Sequence, residues 1–240
     1  MRLPACLLLT ITAIALTACG GGSSSSENTS GGALITDPIH LDSAGVDSAT
    51  INLKIGVGEL TVSGGAAALV DGKIEYNVPA WKPQITQSKD GRSAHLTIEQ
   101  PSSDKSSGDN KKNRWTLQVA DTTPVTFEIE CGVGSAKLNL GTMQLRGVTI
   151  NVGVGQMDLD LRGHPDHDYN VKVHGGVGET TIYVPAGASV RATAQGGLAP
   201  VKIEGLEVRG DAWQSPDYGK VQPTINLEVD SGIGQIRIVR

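Results

Sequence analysis

The sequence predicts an all-β protein, a parallel β-helix-like solenoid whose rungs of about 21–23 residues are marked by Gly-x-Gly corners. Three observations predict it. The phrase Gly56-Val57-Gly58 returns as Gly132-Val133-Gly134, Gly153-Val154-Gly155, Gly176-Val177-Gly178 and Gly232-Ile233-Gly234, with a worn copy at Gly197-Leu198-Ala199. Around every copy, apolar and polar residues alternate as in a half-buried strand, and the alternation breaks at the same place. Aromatics are 3% of the chain while glycine reaches 31 residues, which suits thin repetitive rungs better than a compact globule.

The break in phase is the strongest of the three. Ile51, Leu53, Ile55 and Val57 face one way, and the apolar set then resumes at Leu60 and Val62, a step of three instead of two. A slip in a period-two pattern flips the buried face unless the backbone turns or bulges, and glycine tolerates such a bend. The same slip separates Phe127–Val133 from Ala136–Leu140, Val148–Val154 from Met157–Leu161, and Val171–Val177 from Thr180–Val184. It also separates Val190–Leu198 from Val201–Ile203, and Ile225–Ile233 from Ile236–Ile238. From Gly132 onward the motifs begin at 132, 153, 176, 197 and 232, steps of 21, 23, 21 and 35. Stacked in chain order, the rungs give an inward column Ile55, Cys131, Val152, Gly175, Gly196, Ser231. The outer corner column reads Glu59, Ser135, Gln156, Glu179, Pro200, Gln235.

The Gly-x-Gly phrase is not a dinucleotide loop. The Rossmann fingerprint needs a third glycine and a following helix, whereas each copy here runs into a strand, and no convincing amphipathic helix follows residue 32.

In chain order, Met1-Arg2 is a short positive start and Leu7–Leu16 an apolar run, too short for a membrane-spanning helix of roughly 20 residues. The run ends in Leu16-Thr17-Ala18-Cys19-Gly20, which resembles the lipobox of bacterial lipoproteins. The resemblance implies a signal peptide over 1–18, acyl chains on Cys19 and a membrane as partner; an ordinary signal peptide cleaved after Ala18 is the alternative. Several chains hold a protein firmly where one does not. Gly20 stands where an Asp commonly retains Gram-negative lipoproteins at the inner membrane, so the expected location is the cell outer membrane, with the outer leaflet of the inner membrane or the cell surface as alternatives. Residues 19–36 form the lipidated cysteine and a Gly/Ser tether, and 37–240 a single solenoid domain. Maturation leaves 19 basic against 25 acidic residues, a balance of −6 that is unsuited to nucleic acid.

The domain divides into N-terminal rungs over 37–130 and Gly-x-Gly rungs over 131–240. Between Gly58 and Gly132 lie about three rungs' worth of chain without the motif. Strands are expected at 73–78, 84–87, 94–98 and 114–119, punctuated by Pro79, Pro83 and Asp90-Gly91. The polar insertion 101–113 is locally basic, and Lys105, Lys111, Lys112 and Arg114 are candidate contacts for an anionic envelope polymer, a solvated loop being the plainer reading.

Gly56–Val62, Glu75-Tyr76-Asn77-Val78-Pro79, Leu96–Pro101 and the Gly-x-Gly rungs together resemble the bacterial toast-rack family. That family belongs with the putative-adhesin β-solenoids and the soluble domain of the cell-wall-active-antibiotic response proteins. The resemblance covers most of 37–240 and implies a parallel β-helix-like fold and no catalytic residues. The chain departs from it at Ala199, where the second glycine is lost.

Chemistry has few candidates. His164, His167 and Asp168 could ligate a metal, but Gly163 and Pro165 mark the segment as a turn. Cys131 is expected to be a buried small apolar residue with no disulfide partner. Trp213, Pro216 and Tyr218 are expected to cap the open end of the solenoid. No nucleophile–base arrangement is readable and no cofactor is implied, so the reading is a non-catalytic, lipid-anchored envelope protein that binds or scaffolds an envelope protein or polysaccharide. An accessory sensor in an envelope-stress response and a metal-dependent enzyme are the alternatives.

Overall fold

The computed structural model describes residues 32–101, 110–198 and 200–240. The expected signal peptide, Cys19, most of the tether, Lys105 and Ala199 lie outside the described residues. Four long strands dominate: β2 (Ser48–Gly64), β7 (Val125–Asn139), β8 (Leu145–Asp160) and β9 (Tyr169–Tyr183). They pair parallel and in register except for a bulge where β7 begins, at Val125–Thr126, with Gly58, Gly134, Gly155 and Gly178 aligned.

Each long strand runs unbroken through its Gly-x-Gly, yet it cannot be straight. β7 has 15 residues and would extend about 50 Å. It ends at Asn139 and β8 begins at Leu145, a connection reaching at most about 20 Å. The strand must therefore fold back at Gly132–Gly134, so that its two halves form two walls and the connection a third. The aliphatic residues of both walls enter one continuous core. The expected corner is thus present.

The chain does not stack its rungs in sequence order. β5 (Ser93–Glu99) and β6 (Asn113–Val119) are the two halves of one rung, pairing parallel with the first and second halves of β2 on the side away from β7. Among the described residues, one rung is built from the roughly three rungs' worth of chain between Gly58 and Gly132. The remaining chain caps it: β4 (Gln84–Asp90) pairs antiparallel with β5, and β3 (Val70–Tyr76) and β1 (Ile35–Leu41) pair antiparallel outward from β6. The cap strand β4 is exposed along its length and polar except at Ile85, which suits a sheet edge.

The other end is permuted likewise. β14 (Thr224–Ile233) and β15 (Ile236–Val239), last in sequence, pair with β9 on one side and with β10 (Ser189–Gly196) and β11 (Val201–Glu204) on the other. Ser231 therefore sits between Gly175 and Gly196, correcting the order of the inward column. β12 (Glu207–Arg209) and β13 (Ala212–Gln214) pair antiparallel onto β10. The interval holding Trp213 is thus a cap, as its aromatic content suggested, and it accounts for the 35-residue step.

Candidate interaction surface

The outer side of the bend is the most repetitive surface of the molecule, and glycine makes it possible. Gly58, Gly134, Gly155, Gly178 and Gly234 have φ between +144° and +155°, a conformation closed to ordinary L-residues. A Cβ on any of the last four would collide with the carbonyl oxygen of the aligned glycine in the neighbouring strand. The first glycine of each motif is also forced, since a Cβ on Gly132, Gly153 or Gly176 would collide with the carbonyl of Gly56, Gly132 or Gly153. Both glycines are thus demanded by close packing of successive bends.

The residue between them is not inward. Val57, Val133, Val154 and Val177 are aligned across the sheet and 46–49% exposed, and Ile233, aligned with Val177, is 52% exposed. Leu198, whose N–H donates to the Gly232 carbonyl, continues the row at 83% exposure. The sequence reading placed this position on the buried face. The bend occupies the four residues between Ile55 and Leu60, and the buried set stops at Ile55. Six of the ten large apolar side chains exposed among the described residues stand in this one row.

Beside the row runs an open trough of about 690 Å³ floored by Gly56, Gly132, Gly153 and Gly176, continued past His174 and Gly232 by a further 480 Å³ or so. Its bank is a column of outward residues: Lys54, Glu130, Asn151, His174 and Asp230, aligned strand to strand. Lys54 reaches Glu130 at 3.8 Å and His174 reaches Asp230 at 3.4 Å, both partly exposed. Glu99 and Gln100 close one end.

Gln100 and Asn113 finish the stack. β5 stops at Glu99 and β6 starts at Asn113, so the insertion stands where this rung's bend would be. Gln100 Oε1 accepts from the N–H of Gly56 (2.9 Å), the N–H of Val57 (3.1 Å) and Asn113 Nδ2 (2.9 Å). Asn113 Nδ2 also donates to the Val57 carbonyl (2.8 Å), and its Oδ1 accepts from Trp115 Nε1 (2.9 Å). Two side chains thus substitute for the missing backbone and satisfy amides that would otherwise be orphaned at the edge. The sequence signals the split rung, though not its two anchors: the alternation of Leu96 and Ile98 resumes at Trp115 and Leu117.

The basic candidates gather at this end without forming a free cationic cluster. Arg114 Nε is 2.8 Å from Glu59 Oε2, and Lys111 Nζ lies 5.6 Å from the ring centre of Trp81. The Lys112 N–H donates to Asn77 Oδ1. Lys111, Lys112 and Arg114 share a cleft of about 250 Å³ with Glu59 and Glu75.

The metal candidates do not converge. Asp168 Oδ1 accepts from the Thr224 N–H (2.6 Å), and His167 Nδ1 lies 3.0 Å from Asp166 Oδ1. Among the described residues no three His, Cys, Asp or Glu side chains are grouped to hold an ion. Cys131 is 2% exposed, and burial pushes its thiol pKa up, away from nucleophilic use. Among the described residues no helix is long and apolar enough to cross a membrane.

Comparison with known proteins agrees with this architecture. Residues 28–183 match the family model described as the N-terminal domain of toast_rack, and 132–238 match one described as cell wall-active antibiotics response LiaF, C-terminal. No curated protein matches. A crystal structure described as a putative cell adhesion protein from Clostridium sporogenes is 30% identical and superposes with a TM-score of 0.83, over 86% of this chain and 99% of that one. A putative adhesin from Bacteroides fragilis, 14% identical over 86% and 97% of the two chains, aligns at a TM-score of only 0.24 and bears no weight. With residues 28–183 matched and a structural relative 30% identical over 86% of the chain, the chain belongs to the toast-rack family.

Proposed function

We propose that this protein is a cell-envelope component, anchored to a membrane through acyl chains on Cys19, whose solenoid head binds or scaffolds another envelope component without catalysing a reaction. The observation that carries the binding reading is the outer bend, where six aliphatic side chains stand exposed in one row beside an open trough. A folding requirement explains the glycines but not a repeated apolar residue held in water. The likeness to a structure described as a putative cell adhesion protein supports the same reading. The outer membrane is the proposed location, on the ground that Gly20 follows Cys19.

A second reading, an accessory sensor in an envelope-stress response, is favoured by the match of 132–238 to the antibiotics-response model. Crosslinking in cells from photoreactive residues placed at Val133 and Lys112 separates them. Capture of a structural envelope component, unchanged under antibiotic, supports scaffolding. Capture of a signalling protein only under antibiotic supports sensing, and capture of nothing at either site refutes both. For the anchor, the Cys19→Ser chain is expected to lose radiolabelled palmitate, and label persisting on it overturns the lipoprotein reading.

A further inference from the structure

We infer that the outer bend is a docking site for a basic amphipathic α-helix of a partner polypeptide, laid along the stack of rungs. The inference deepens the binding reading above and rests on it.

The shape comes first. Aligned residues in neighbouring strands lie about 4.8 Å apart, so six in a row span about 24 Å. Helical side chains on one face recur at a pitch of about 5.4 Å, and about 16 residues cover the same length. Aliphatic side chains spaced at nearly the helical pitch can interdigitate with an apolar helix stripe. The trough alongside, floored by glycine, leaves room for the flank of that helix.

Charge selects the partner. On the trough side of the row stand Glu99, Glu130 and Asp230 against Lys54, with His174 already beside Asp230. On the far side stand Glu59 and Glu179, and Arg114 offsets Glu59. The trough side of the row therefore carries net negative charge, while on the far side Lys111, Lys112 and Arg114 share the cleft at one end with Glu59 and Glu75, and complementary charge on the trough side guides docking. Lysine and arginine beside the apolar stripe of the helix would meet these carboxylates. The same trough bank opposes an anionic polymer or anionic lipid surface. The row itself holds no aromatic plane on which a sugar ring could stack.

The test uses a synthetic 16-residue helix with a leucine stripe and a lysine polar face, a glutamate-faced analogue, and a scrambled lysine peptide. Binding to the protein is followed by fluorescence anisotropy. The lysine-faced helix is expected to bind, to weaken with salt, and to lose about tenfold or more in affinity on Val154→Lys with Val177→Lys. The control Thr149→Lys, on an outward face away from the row, is expected to leave binding unchanged. Should the lysine pair lose the native far-UV spectrum, Val154→Thr with Val177→Thr is the substitute. No binding by the lysine-faced helix, equal binding by the scrambled or glutamate-faced peptide, or indifference to the row substitutions overturns the inference. So does binding of anionic vesicles or oligosaccharides that the row substitutions abolish. A cellular partner crosslinked at Lys112 and never at Val133 would keep the binding reading and end this one.

Discussion

Replacing Gly155 by alanine should be among the most damaging single-methyl additions in this protein. Gly155 has φ +148°, and an added Cβ would lie 1.7 Å from the carbonyl oxygen of Gly134. Holding a non-glycine residue in this region costs about 1–3 kcal/mol. The clash is with backbone, so β7 and β8 must separate at the bend, with overpacking of about 1–3 kcal/mol and a ladder hydrogen bond of about 1 kcal/mol lost. The expected total is about 3–7 kcal/mol, a large fraction of the 5–15 kcal/mol typical of a domain. Three companions separate the causes. Gly210→Ala has φ +65° and nothing within 4 Å, so it isolates backbone strain at about 1–2 kcal/mol. Gly153→Ala has the collision, 2.4 Å from the Gly132 carbonyl oxygen, without the unusual φ. Gly147→Ala has neither, its Cβ meeting Thr126 Cγ2 at 3.6 Å and the Asn170 carbonyl oxygen at 4.0 Å, both ordinary contacts, and should be within about 1 kcal/mol of wild type or slightly stabilising. Urea unfolding with a common slope measures all four. If Gly155→Ala falls within about 1 kcal/mol of Gly147→Ala, the packed-bend account is wrong.

Other outcomes follow from the same geometry. Gln100→Ala removes the acceptor for two backbone amides and Asn113, and should cost about 2–3 kcal/mol by urea melt; a change under about 0.5 would show that water satisfies them. Asp160 is held below its usual pKa by hydrogen bonds from the Arg162 side chain and N–H. Its contribution is therefore present above about pH 4 and lost as pH falls through the lowered value, so Asp160→Asn should flatten the acid limb of stability against pH and leave the neutral region's slope unchanged. Cys131 should resist iodoacetamide in the folded protein and react on unfolding, read at the peptide level by mass spectrometry; fast native labelling would refute its burial.

The rung and its bend were legible because they are local. Alternation, the phase slip and two glycines are all properties of about ten consecutive residues, and Gly56–Leu60 displays them without reference to any neighbour. The direction of Val57 was not legible, because period two assigns a face only while the chain stays extended. The order of rungs was hidden for a different reason. Strand halves such as Ile225–Val229 and Val190–Ala194 carry interchangeable patterns, so alternation alone cannot tell which one lies beside β9. The insertion's two anchors escaped for want of a repeat: Gln100 and Asn113 occur once each, and their role depends on an edge that only the stack creates. The scattered surface residues His164, His167 and Asp168 were near in sequence, but proximity along a turn does not aim side chains at a common point.

The late position of β14 and β15 has a consequence for how the molecule is made. The strands pairing with their two edges, β9 on one side and β10 and β11 on the other, are synthesised earlier, yet in the finished stack β9 does not pair with β10 or β11. The final seventeen residues, 224–240, are a keystone laid after both sides of the arch. A nascent chain lacking them has a gap between its fourth long strand and its cap, so the completed stack is reachable only once residues 224–240 have left the ribosome.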